Sequence, residues 1–121
     1  MNALWVALGG AIGAAARYGI GVGLARASVN FPFGTLAANT LGGLIMGVLV
    51  GWLAMRDPVG PALKLFLTTG ILGGFTTFST FSLETVMLYD RKPMLAIVYV
   101  GASVALSIAA CVLGLRMMRG A

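Results

Sequence analysis

Four long apolar runs restrict this chain to few possible folds. They cover about residues 2–24, 33–55, 65–89 and 93–115. Each run has about the 20 residues that a helix needs to cross the hydrocarbon core of a bilayer. None shows the alternation of apolar and polar residues that is typical of a transmembrane strand. The sequence therefore predicts an all-α membrane protein, with four transmembrane helices in a single integral membrane domain over residues 1–121.

The composition argues against an enzyme. The chain is 60% hydrophobic and contains no histidine, one cysteine and three acidic residues. Histidine-based catalysis, histidine-ligated zinc and an internal disulfide are therefore excluded. Two-carboxylate hydrolysis is disfavoured because only Glu84 lies within an apolar run. We expect a protein that is not an enzyme.

The net charge of +5 comes from basic residues near the ends of the apolar runs. Their longest run is Arg91-Lys92, and basic residues at span ends suit lipid headgroups. We therefore expect a lipid bilayer around the protein and no nucleic-acid partner.

The basic residues also bear on membrane orientation. One side of a four-span protein would carry Arg56, Lys64, Arg116 and Arg119, and the other side would carry Arg26, Arg91 and Lys92. Arg17 would join the second set if its side chain reaches that surface. Because the two sides are nearly balanced, the chain is predicted to insert both ways, which permits an antiparallel homodimer. The alternative is that one orientation wins by a margin that this count misses.

The third run contains the densest polar cluster, between residues 73 and 82. Two adjacent glycines weaken a helix, and β-branched threonines follow them directly. One interpretation is a helix broken near Gly73-Thr77, whose freed carbonyls are buried or bind an ion. The other is an unbroken helix whose hydroxyls bond back to carbonyls four residues earlier. The pattern alone does not choose between them.

The remaining polar residues of the runs are mostly hydrogen-bond donors. Asn39, with Thr35 one turn before it, either clamps two helices or donates its amide to a passing anion. Tyr99, Ser103 and Ser107 are spaced by four and predict a hydroxyl stripe on one helix face. Donors with almost no buried acid suit an anion.

Phenyl rings and two charges complete the candidate site. Phe78 and Phe81 are either lipid-facing or core residues, or they present positive ring edges to an anion. Arg17 either reaches the headgroups or makes an electropositive vestibule. Glu84 pairs with a basic residue or caps a helix beyond the break.

Three blocks of the sequence resemble the signature of the CrcB/Fluc fluoride channels of bacteria. They are GGAIGAAARY at residues 9–18, GTLAAN at 34–39 and GILGGFTTFSTFS at 70–82. The resemblance extends over essentially the whole chain. It implies an antiparallel, dual-topology homodimer in the bacterial inner membrane, with two pores that pass fluoride out of the cell passively.

The resemblance also implies roles for individual residues. It assigns the fluoride pore to Asn39, Phe78, Phe81, Thr35, Ser79, Thr80, Tyr99, Ser103 and Ser107. It assigns Arg17 to the vestibule. The backbone carbonyls of Gly73 and Thr76, from both subunits, are expected to hold a central structural sodium ion.

Two other classes of protein are alternatives to a channel. A small dual-topology, proton-coupled multidrug exporter is similar in size but depends on a membrane-embedded acid in its first helix. Here the first run has Arg17 and no acid, and Glu84 lies in the third. A noncatalytic subunit of a larger complex would leave the polar cluster of the third run without a purpose.

Overall fold

The computed structural model describes residues 2–56 and 60–119, and this part of the chain is helical apart from short turns. Met1, residues 57–59 and residues 120–121 lie outside it. The helices are α1 (Asn2–Gly23), α2 (Phe33–Met55), α3 (Pro61–Leu65), a π-helical segment (Phe66–Leu72), α4 (Gly73–Phe75), α5 (Ser79–Arg91) and α6 (Pro93–Arg119).

Four spans in the described residues are long and apolar enough to cross a membrane. Two of them are α1 and α2. The third runs over Pro61–Arg91 and includes α3, the π-helical segment, α4 and α5, and the fourth is α6. The predicted fold class, an all-helical protein with four transmembrane helices, is confirmed.

Prolines mark where three of the spans begin. Pro32 precedes α2, Pro61 is the first residue of α3, and Pro93 is the first residue of α6. A proline at a helix start costs little, because its missing N–H has no intrahelical partner there. Each of these three helices thus has, at or just before its first residue, a proline that is favourable at a helix start.

Glycines bring α2 and α6 into backbone contact. A Cβ added at Gly43 would lie 2.6 Å from the Ser107 carbonyl oxygen, and one at Gly47 would clash with the Cys111 carbonyl. Because both helices advance by four residues between these two contacts, they run parallel and in step. The four-residue glycine spacing of α2 therefore serves packing within one chain.

A second close contact joins α1 to the third span. A Cβ at Gly9 would lie 2.5 Å from the Phe66 carbonyl oxygen, and one at Gly74 would lie 2.5 Å from the Gly10 carbonyl oxygen. Gly13 is pressed against the Ile71 carbonyl in the same way. The glycines of the first and third sequence blocks thus meet each other at a helix–helix interface.

The third span is broken, as the first interpretation predicts, but the break lies just beyond the glycine pair. Gly73 and Gly74 are helical in α4, which ends at Phe75. Thr76 is extended (φ −89°, ψ 158°), and α5 begins only at Ser79. Gly74 therefore allows close packing against α1, and the chain leaves the helix at Thr76.

Candidate ion-binding groove at the break in the third helix

Asn39 of α2 holds the break by two hydrogen bonds to one residue. The Thr77 backbone N–H donates to Asn39 Oδ1 at 2.9 Å, and Asn39 Nδ2 donates to the Thr77 carbonyl at 3.1 Å. In a membrane both backbone groups need partners, because no water replaces the lost helical bonds. Asn39 is therefore a clamp between two helices, and its second amide proton is left for another acceptor.

Thr77 supports the first turn of α5, which begins two residues later at Ser79. Its Oγ1 accepts the Thr80 backbone N–H at 3.3 Å and lies 3.5 Å from the Ser79 hydroxyl oxygen. A threonine oxygen that accepts an N–H three residues later is a helix cap. Thr77 was not among the predicted site residues. The sequence signal that could have found it is a threonine three positions before Thr80. It comes just after a glycine-containing helix, where the cap of a new helix can be expected.

Two carbonyls at the break lose the donors that a continuous helix would give them. The Thr77 N–H, which would bond to the Gly73 carbonyl, goes to Asn39 instead. The Thr80 N–H, which would bond to the Thr76 carbonyl, goes to Thr77 Oγ1. Gly73 and Thr76 are the two residues predicted to hold sodium, and carbonyls released at a helix break are suitable ligands for that ion.

Arg17 also supports the break. Its Nε donates to the Gly74 carbonyl at 3.2 Å, so its side chain turns toward the third span. A groove of about 360 Å³ lies beside it, lined by Arg17, Tyr18, Gly21, Val22, Ala25, Gly34 and Thr35. Arg17 and Thr35, predicted for the vestibule and the pore, therefore share this groove.

A row of aromatic rings follows the break. The Phe78 and Phe81 ring centroids are 5.7 Å apart and tilted by 45°. The Phe81 ring lies 5.2 Å from that of Tyr99, which in turn meets the ring of Phe31 edge-on at 5.4 Å. Phe78 is 78% exposed, whereas Phe81 packs against the small core of Leu88, Ala96 and Tyr99. The two phenylalanines thus differ in how firmly the chain holds them.

The main groove, with a volume of about 420 Å³, lies between α2, the break and α6. It is lined by Asn39, Gly42, Gly43, Met46, Thr76, Thr77, Phe78, Phe81, Ser103, Val104, Ser107, Ile108 and Cys111. The groove brings together five residues predicted for the pore, Asn39, Phe78, Phe81, Ser103 and Ser107. It also includes Thr76, which was predicted for sodium.

Other predicted residues do not line this groove. Ser79 and Thr80 form the first turn of α5, next to the cap. Tyr99 is fully buried behind Phe81, and Gly73 is exposed on the surface of the chain. Sequence reasoning in turn missed Met46 and Cys111. Both lie on helix faces already marked by small residues, which is the signal that could have found them.

Of the two predicted alternatives for Glu84, the helix cap is wrong, and the structure shows no basic partner for it within residues 2–56 and 60–119. Glu84 lies in the middle of α5, so it does not cap that helix. Its Oε1 accepts a hydrogen bond from the Tyr99 hydroxyl at 3.4 Å, and Thr35 lies beside the same hydroxyl. A neutral hydroxyl on α6, and not a basic residue, is therefore the partner of this carboxylate.

The sequence of these same elements also matches a known protein family. Residues 4–115 match the family described as "CrcB-like protein, Camphor Resistance (CrcB)", which includes α1, the whole break and most of α6. This chain belongs to the CrcB-like family. The match covers all three sequence blocks. Each of α1, α2 and the third span contributes one block, and the three blocks meet around the break.

Individual relatives cover the chain almost from end to end. A protein of Paracoccus denitrificans is 51% identical over 118 residues, which is 97% of this chain and 94% of the relative. Relatives from Methylobacterium sp. (strain 4-46) and Agrobacterium fabrum (strain C58 / ATCC 33970) are each 48% identical and cover 98% of this chain and 97% of their own. All three are named "Fluoride-specific ion channel FluC".

Proposed function

We propose that this protein is a fluoride-selective channel of the bacterial inner membrane, through which cytoplasmic fluoride leaves by passive electrodiffusion. The groove beside the helix break carries the proposal. An amide, four hydroxyls and two phenyl rings meet there, and no carboxylate lies among its described lining residues. The names of relatives that are 48% to 51% identical support the same ion.

The chemistry of the groove suits a small anion. Fluoride is strongly hydrated, so a path must offer donors that replace its water. Asn39 keeps one free amide proton after the clamp, and Ser103 and Ser107 add hydroxyls along α6. Phenyl ring edges attract an anion without a formal charge. Such weak, successive sites let an ion enter and also let it leave, as conduction requires.

Passive export is enough to protect a cell from fluoride. Hydrogen fluoride crosses membranes as a neutral molecule in acid surroundings and loses its proton inside, where fluoride accumulates. A negative interior then drives the anion out through a selective pore. Thr35, Ser79, Thr80 and Tyr99 extend the proposed path beyond the main groove, and Arg17 concentrates anions at its entrance. A channel of this kind passes its ion unchanged and needs no catalytic residue.

The proton-coupled drug exporter is not favoured. It needs a free acid in the membrane, whereas Glu84 is engaged by the Tyr99 hydroxyl and lies in the third span.

The working unit of this proposal is an antiparallel homodimer with a sodium ion between the subunits. The exposed ring of Phe78 leaves the main groove open on one side of a single chain, and a second copy would close it. One chain offers sodium only the carbonyls of Gly73 and Thr76, which is too few ligands, whereas two chains double the set. The balanced basic residues allow the opposed orientations that this dimer needs.

Fluoride efflux from liposomes that contain only this protein tests the function. We expect rapid loss of fluoride and retention of chloride, because the groove offers neutral donors that can replace the water around a small, strongly hydrated anion. A fluoride-selective electrode follows the release, and protein-free liposomes are the control. Retention of fluoride by liposomes with verified dimers, in sodium buffer, would contradict the proposal.

Native mass spectrometry tests the assembly independently of transport. We expect a complex of two 12.4-kDa chains with one bound sodium ion. A sample prepared in choline buffer throughout is the comparison. A monomer, or a dimer with the same mass in both buffers, would contradict the sodium-linked dimer while leaving the transport result to stand by itself.

A further inference from the structure

Two buried hydroxyls have no protein partner within residues 2–56 and 60–119. They are Thr40 Oγ1 on α2 and Ser103 Oγ on α6. Ser103 is only 5% exposed and lines the main groove. A buried hydroxyl without a partner is unfavourable, so groups of this kind call for an explanation.

Four other hydroxyls show what these two could have done. Thr68, Thr76, Ser82 and Thr85 each donate to the carbonyl four residues earlier, at 2.7 to 3.0 Å. This back-bond is the usual way in which a helix satisfies a hydroxyl in an apolar setting. Thr40 and Ser103 do not make it, and both protons are therefore available to something else.

Helix geometry puts the two hydroxyls at the same level. Leu36, one turn before Thr40, packs against the cluster around Tyr99, and Gly43, one turn after, contacts Ser107. Thr40 lies on the same face of α2 and therefore faces α6 between these two levels. Ser103 is midway between Tyr99 and Ser107 on α6, so both unpartnered hydroxyls lie within one turn of each other along the interface.

We propose that Thr40 and Ser103 donate together to one small anion between α2 and α6, beside the main groove that Ser103 lines, and that this anion is fluoride. Thr40 would then be an additional binding residue of the path, one that none of the three sequence blocks includes. The proposal rests on the proposed function.

The test removes the Thr40 hydroxyl and keeps the shape of its side chain. We expect Thr40→Val to lower fluoride efflux about tenfold, since a hydrogen bond to a charged group is lost. Thr40→Ser, which keeps the donor, should conduct nearly as well as the parent. Thr85→Val is the matched control, because that hydroxyl is already satisfied by the Phe81 carbonyl.

Thermal unfolding separates an ion site from a purely structural role. Thr40→Val should unfold at no lower temperature than the parent, because valine replaces an unpartnered hydroxyl with a methyl group. Added fluoride should raise the unfolding temperature of the parent more than that of Thr40→Val. In a double-variant cycle, Thr40→Val with Ser103→Ala should lose little more efflux than the worse single change, because both act on one ion.

The contrary outcomes are distinct. A conducting parent with an equally active Thr40→Val would overturn this inference alone, and would indicate that the two hydroxyls hold water. A loss of efflux in Thr40→Val that matches a loss of folded protein would assign Thr40 a structural role and overturn it too. A parent that retains fluoride would remove the proposed function, and this inference with it.

Discussion

Replacing Asn39 with leucine should silence fluoride efflux and destabilise the protein at the same time. Leucine has nearly the same size but offers neither of the bonds to Thr77. The Thr77 N–H and carbonyl would both be left unpaired, at a cost of about 1 to 3 kcal/mol each. We therefore expect the free energy of unfolding to fall by about 2 to 6 kcal/mol.

The efflux of Asn39→Leu has to be compared with the amount of folded dimer in the liposomes. If Asn39 also donates to fluoride, the folded fraction should conduct at least about tenfold less than the parent, because a donor to a charged group is gone. Asn30→Leu, in the exposed loop before α2, is the matched control and should change neither quantity. Folded Asn39→Leu with parental efflux would reduce Asn39 to a clamp.

The role of Asn39 shows what sequence reasoning could reach at this site. A lone amide in an apolar run predicted either a helix clamp or an anion donor, and both follow from local chemistry. Its partner, Thr77, was out of reach because the two residues are 38 positions apart. Only the packing of α2 against the third span decides which backbone group an amide meets.

The break lies within the predicted range, Gly73-Thr77, but the residue at which the helix ends could not be predicted, for the same reason. Low helix propensity pointed to the glycine pair and the threonines after it, yet Gly73 and Gly74 are helical, and Gly74 packs against Gly10 of α1. The break lies at Thr76 because Asn39 and the Thr77 hydroxyl capture the N–H groups that would continue the helix. Local helix propensity indicates where a helix is easily broken, whereas tertiary hydrogen bonds decide the residue at which it ends.

Periodicity was more informative for α2 and α6. The spacing by four of Tyr99, Ser103 and Ser107 predicted one polar face, and Gly43 of α2 meets that face at Ser107. The spacing could not show how deeply each of these side chains is buried. Tyr99 is sealed behind Phe81 and bound to Glu84, whereas Ser103 and Ser107 line the groove. Depth depends on which neighbour covers a residue, and that neighbour comes from another helix.

Isoleucine at either phenylalanine of the groove should lower fluoride efflux strongly, but the two variants should differ in stability. Isoleucine keeps an apolar side chain and removes the ring whose positive edge is proposed to face the anion. We expect efflux to fall about tenfold or more in both, as the loss of a binding contribution of about 1.4 kcal/mol or more would give. Fluoride release from liposomes, normalised to folded dimer, measures this effect.

The stability difference follows from the surroundings of the two rings. Phe81 packs against the buried Tyr99 ring at 5.2 Å, so Phe81→Ile should cost about 0.5 to 1.5 kcal/mol from the lost aromatic pair. Phe78 is 78% exposed in the single chain, so Phe78→Ile should cost less. Phe66→Ile is the control for losing an aromatic pair outside the groove, since Phe66 meets Trp5 edge-on at 6.0 Å. It should lose stability and keep its fluoride efflux. Parental efflux in both groove variants would remove the ring edges from the mechanism and leave the amide and hydroxyl donors to carry selectivity.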